Sequence, residues 1–188
     1  VQDFVNDGAV AYTVVTGAAV SSDASYNGLN ASDVALVNNE SANTAPVNNV
    51  QGAQTVAEDT ALVFSAANGN AITVGDADAG ANAVRVTLTA TNGAFGLSGV
   101  TGLTFVSGDG TADATMTFSG SLADINAALD GLAFTPTANF SGAASLAIAS
   151  DDQGNSGSGG AQTDSDTVSI NVTAVNDAPS GAREVTGS

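Results

Sequence analysis

Period-two alternation of apolar and polar residues recurs along most of this chain, and it predicts strands. Val84, Val86 and Leu88 fall on one face with Arg85, Thr87 and Thr89 on the other, and Met116 and Phe118 alternate in the same way with Thr115 and Thr117. Leu146 and Ile148 follow, then Val168, Ile170 and Val172 with Ser169, Asn171 and Thr173 facing outward. Asn92-Gly93, Ser107-Gly108-Asp109-Gly110 and the stretch from Gly154 to Gly160 supply turn chemistry between them. About seven or more short strands separated by such turns predict an all-β fold, an antiparallel two-sheet sandwich. One stretch has the other period: Ser121, then Leu122, Ile125 and Leu129, with Asp124 three residues after the serine, predicts an N-capped helical turn or two closing one edge.

The pattern also divides the chain. Residues 1–39 hold two predicted strands, near Ala9–Thr16 and Asp33–Val37, joined by a polar loop from Ser21 to Asn30. Two strands make no sandwich, so this is a partial β module, to be completed by further residues, an adjoining domain or a neighbouring molecule. Residues 40–49, with Asn43, Thr44 and Pro46, read as a linker. Its signature returns as Val175-Asn176-Asp177-Ala178-Pro179, so the sandwich is expected over 50–175, with a second linker and the start of another repeat over 176–188. Val1 begins inside a pattern, which favours a window on a longer polypeptide over strand exchange between subunits; an intact denatured mass near 18 kDa would reverse that preference.

Composition removes several function classes. There are 19 acidic residues against 2 basic ones, with no histidine, cysteine or tryptophan. Polyanions are held by Lys and Arg, so nucleic acid is not an expected partner, and an anionic membrane surface would repel the chain. Membrane insertion is not expected either, because no apolar run is long enough to span a bilayer. Thiol nucleophiles, His-based triads, zinc sites and disulfides are all unavailable, which leaves oxygen-ligated hard cations as the main inorganic chemistry. An enzyme is not expected: a carboxylate pair alone would need a cleft lined by aromatics or cations.

The turn Val74-Gly75-Asp76-Ala77-Asp78-Ala79-Gly80 sets two carboxylates in alternate positions with Arg85 as the nearest base. Unpartnered carboxylates held together repel, so such a turn is either splayed into water or neutralised by a metal ion, and the ion of choice is calcium. An EF-hand describes it poorly. A loop starting at Asp76 would need a bidentate Glu at its twelfth position, where Thr87 stands.

Glu58-Asp59-Thr60, Asp76-Ala77-Asp78, Leu146 to Asp151 with Gly154, and Asn176-Asp177-Ala178-Pro179 together resemble the tandem cadherin-like repeats of giant bacterial adhesins. The resemblance spans nearly the whole Pro46 to Pro179 unit and implies an immunoglobulin/cadherin-like β-sandwich with Ca2+ at its joints. Carried over to this sequence, it implies an upstream half-site of Asp76, Asp78 and Asp151 or Asp152 with linker oxygens near Glu40 and Asn43. A downstream half-site would use Glu58 and Asp59 with Asn176 and Asp177. The first linker departs from the pattern, having Asn43-Thr44 where the second has Asn176-Asp177. The first stretch, through Val10 to Val15 and Tyr26 to Val34, resembles the C-terminal part of a Calx-β-like module.

Two functions from different classes follow. The first is a non-enzymatic, secreted or cell-surface repeat whose calcium ions stiffen the joints of a stalk, adhesin or fibre, its partners being neighbouring repeats or like subunits, with any glycan or cell-surface ligand held elsewhere in the parent protein. The second is a carbohydrate-binding or accessory module of a secreted enzyme, for which Tyr12 and Tyr26 are the candidate stacking residues. Phe95, Phe105, Phe134 and Phe140 read as core, and Asp164 and Asp166 as a solvated start to the last strand rather than a metal pair.

Overall fold

A computed structural model describes residues 10–38, 41–155 and 157–176. Two strands, β1 (Val10–Val14) and β2 (Val34–Asn38), pair antiparallel as a hairpin of their own. Both of its faces are open, with Tyr12, Val14, Leu36 and Val37 all exposed. Residues 41–155 and 157–176 build a two-layered β structure around one apolar core, as the alternation predicts.

The larger layer has six strands. In spatial order they are β4 (Gln54–Ala57), β13 (Thr163–Thr173), β12 (Gly142–Asp151), β7 (Val84–Thr91), β10 (Thr115–Gly120) and β9 (Thr104–Ser107). All pairs are antiparallel except β4 with β13, which run parallel, so the sheet is mixed at that edge rather than antiparallel throughout. The facing layer consists of β5 (Leu62–Phe64), β11 (Leu132–Pro136) and β8 (Gly93–Gly96), together with a separate pair, β3 (Val47–Asn49) and β6 (Thr73–Gly75).

Every alternating position expected inside is inside. Val84, Val86, Leu88, Met116, Phe118, Leu146, Ile148, Val168, Ile170 and Val172 are all buried. Phe95 and Phe134 sit at the centre with ring centroids 5.5 Å apart and tilted by 53°, a geometry that sets ring edge towards ring face. Phe105 and Phe140 pack against this core from its margin. Gly93 is there because the Phe134 ring needs the room: a Cβ on it would lie 2.4 Å from that ring.

The helix α1 (Leu122–Leu129) begins on Ser121, whose hydroxyl accepts the Asp124 N–H and donates to the Asp124 carboxylate. Ile125 and Leu129 enter the core, while Asn126 does the work of a missing strand. Its amide accepts the Val74 N–H (2.8 Å) and donates to the Val74 carbonyl (2.9 Å), closing the edge of β6.

Residues 41–49 are not a free linker. Ala42 bridges Ser158, the Asn43 N–H donates to Ser158 O, and the Ser158 N–H donates to Ser41 O. Gly157 permits this approach: its φ is +66°, and a Cβ there would stand 2.6 Å from Asn43 N. Pro46 is buried, and Val47–Asn49 is strand β3. The polar segment before the sandwich is therefore strapped to the loop 157–160 through the Ser158 backbone, an approach that the missing side chain of Gly157 leaves open.

Candidate functional site

The upstream cluster forms where β6 ends, β12 ends and the strap crosses. Asp76 Oδ1 accepts the N–H groups of Asp78 (3.1 Å) and Ala79 (3.0 Å), which folds the Asp-Ala-Asp turn back on itself. Its other oxygen, Oδ2, is buried without a hydrogen-bond partner. Burial, and after it the neighbouring Asp78 carboxylate, push the Asp76 carboxyl above its ordinary value, against the lowering pull of the two N–H groups. Asp78 Oδ2 accepts the N–H and the hydroxyl of Thr44, at 2.9 and 3.1 Å. The strap thus meets the turn through Thr44.

Asp151 and Asp152 part company. Strand alternation turns Asp151 outward, where it pairs with Arg85 across the β12–β7 register. Asp152 turns inward and is 2% exposed. Its Oδ1 accepts the N–H groups of Gly154 and Gln162, each at 2.8 Å, and its Oδ2 accepts Asn43 Nδ2 at 2.7 Å. Of the two candidates, Asp152 is the one brought to the strap, and Asp151 is held away from it by the single base of the described residues.

The downstream candidates lie at the far end of β13. The Glu58 N–H donates to Thr173 O, and Glu58 Oε1 accepts the Val175 N–H at 2.7 Å, so this largely buried carboxylate ties down the departing chain. Asp59 has a left-handed backbone, φ 58°, and its carboxylate accepts the Asn139 N–H instead of turning towards Asn176. Asn176 is exposed. Glu40 and Asp177 lie outside the described residues.

The donor set upstream is oxygen only, and Asp76 Oδ2 supplies a buried acceptor that no N–H or O–H reaches, which fits a hard cation. Among the described residues, no three His, Cys or acidic side chains are gathered into a ready-made metal cage. The carboxylates are instead saturated largely by backbone N–H groups, as the contacts above show.

Three participants were not read from the sequence as part of this end. Asn48 and Ser150 are buried polar residues whose side-chain atoms lack partners, and Asp164 Oδ2 accepts the Asn48 N–H at 2.7 Å. Asp164 is thus no merely solvated strand start. The signal was available: counting back by twos from Val168 puts Asp166 and Asp164 on the inner face, and counting on from Ile148 puts Ser150 and Asp152 there. Tyr12 and Tyr26, the stacking candidates, are 41% and 61% exposed.

Among the described residues no helix is long and apolar enough to cross a membrane. No family model matches the chain, and no curated protein is similar to it at a meaningful level.

Proposed function

We propose that this chain is a non-enzymatic repeat of an extracellular stalk, adhesin or fibre, stiffened at its joints by calcium. The observation that carries this reading is that Asp152 meets the strap at Asn43 and Asp78 meets it at Thr44, with Asp76 joined to Asp78 within its own turn. Acidic side chains from two distant turns there meet the segment that leads into the sandwich. At the other end of β13, roughly 30 Å away, Glu58 holds the segment that leads out. Entering and leaving chains are therefore gripped by carboxylates at opposite ends, an arrangement suited to a linear array.

Asp76, Asp78 and Asp152 would hold the upstream ion with the Asn43 side chain, and Glu58 with Asn176 the downstream one. Bound calcium would offset the mutual repulsion of these carboxylates and couple joint stiffness to ion binding. Thr44 and Asn43 already orient the strap towards the acids, so little rearrangement is required of the backbone.

Melting temperature and hydrodynamic length, each measured with calcium and with chelator, test the reading. Both are expected to rise with calcium, and no change in either would sink it. A carbohydrate-binding module is the second reading, favoured by the exposure of Tyr12 and Tyr26. A glycan array on which the chain finds no ligand would remove its support.

A further inference from the structure

All the buried side-chain atoms without a hydrogen-bond partner among the described residues belong to three residues at one end of the sandwich: Asn48 Oδ1 and Nδ2, Asp76 Oδ2, and Ser150 Oγ. Strand register brings them towards one space. Asn48 is paired with Val74, and Asp76 follows directly after the last residue of that strand, Gly75. Ser150 continues the buried series Leu146, Ile148 on β12 and stands directly across from Asp164 on β13. Strand β3 packs against both β12 and β13, and the Asn48 N–H reaches Asp164 Oδ2 at 2.7 Å.

Asn48 is 7% exposed and Ser150 1% exposed, so bulk water does not solvate these groups. An apolar side chain at either position would avoid the cost of an unsatisfied polar atom, which makes their presence informative. The available ligands are an amide oxygen, a hydroxyl and carboxylate oxygens. Arg85, the one base among the described residues, is engaged by Asp151 on the opposite face of β12 and cannot neutralise them. A water molecule would satisfy hydrogen bonds here but bring no charge to set against the half-buried carboxylates of Asp76 and Asp164, whereas a hard cation would.

We infer that a hard divalent cation binds inside this end of the sandwich, between β3, β6 and the β12–β13 pair, held by Asn48, Ser150 and Asp164 together with Asp76. The inference rests on the calcium reading above and extends it: the ion is held within one repeat by residues of its own strands, and needs no adjoining domain to be captured. Asp76 is shared between this internal site and the joint.

The test uses the full 188-residue chain, stripped with chelator and titrated with calcium while its thermal unfolding is followed, in the wild type and in Ser150→Ala and Asn48→Val. Without cation the variants are expected to melt at or above the wild-type temperature, since each loses an unpartnered buried polar group. Their apparent calcium affinity is expected to fall by about tenfold or more, the loss of a direct ligand being worth at least that factor. A calcium response in both variants equal to that of the wild type overturns the internal site while leaving the joint reading intact. A wild type with no calcium response removes the joint reading, and this inference with it. A second readout needs no variant: Mn2+ added to the wild type should broaden the amide resonances of Asn48, Ser150 and Asp164 first. Broadening confined to Thr44 and Asp78 would place the ion at the joint alone and overturn the inference.

Discussion

Asp76 carries opposed demands. Its Oδ1 closes the turn through two N–H groups, while its Oδ2 is buried beside a second carboxylate. Because burial raises its folded pKa above the ordinary 3.8, the sign of its pH effect is set. The native state binds this proton more tightly than the unfolded chain, so the contribution of Asp76 is most favourable below 3.8 and is lost as pH rises through its higher folded value. In chelator, Asp76→Asn is therefore expected to be at least as stable as the wild type at neutral pH. That advantage should shrink to nothing as the pH is lowered towards 3.8, and the calcium-dependent rise in Tm should be lost. Paired thermal melts across pH check this; a variant less stable than wild type at neutral pH in chelator would contradict it. The Asp-x-Asp spacing made this residue visible in the sequence, but which of its oxygens is left over depends on atoms brought in by the fold.

Among the elements, α1 is short, and its value lies in one side chain. Asn126 satisfies both backbone groups of Val74, a residue 2% exposed. Asn126→Ala leaves a buried N–H and a buried carbonyl without partners, and is expected to cost about 2–4 kcal/mol in urea unfolding. A loss below about 0.5 kcal/mol would mean that water or a shifted backbone replaces the amide. The helix itself was legible from Ser121, Asp124 and the Leu122, Ile125, Leu129 spacing. Its role as a substitute strand was not, because the sequence does not say which edge an amide in mid-helix will meet. The strap over 41–49 follows the same logic: polar, proline-bearing residues look like a linker until a glycine loop more than a hundred residues later provides a track for them.

For the whole molecule, protection is expected to be uneven. The β12–β13 pair runs for ten residues of continuous register within the larger sheet, over a face buried at Ala144, Leu146, Ile148 and Ser150 on β12 and at Val168, Ile170 and Val172 on β13. The β1–β2 hairpin has five paired residues on each strand and no buried face. Amide hydrogen exchange at β12 and β13 should accordingly approach the rate of global unfolding, while β1 and β2 exchange faster by about a hundredfold or more. Equal protection in the two regions would show that the hairpin is covered by something that buries it. Chain direction matters at this scale too. With the strap at the Asp164 end of β13 and Val175 at the other, the proposed calcium sites would act along the strand axis, the axis along which the proposed stalk would bear load.

The sequence alone determined the fold class, the core and the helix, because period-two burial and N-capping are local rules that each segment obeys by itself. Through turn chemistry and a resemblance in spacing it also pointed to Asp76, Asp78 and either Asp151 or Asp152, with oxygens near Glu40 and Asn43, as members of one end. Tertiary structure alone decided the rest: that Asp151 goes to Arg85, that Asp59 goes to Asn139, that Thr44 rather than a carboxylate meets Asp78, and that Asn48, Ser150 and Asp164 close on the same space. Each of those outcomes depends on strand register between segments far apart in sequence, where a shift of one residue would turn Asp152 outward and Asp151 inward. Local pattern says which face a side chain takes; only pairing says what it meets there.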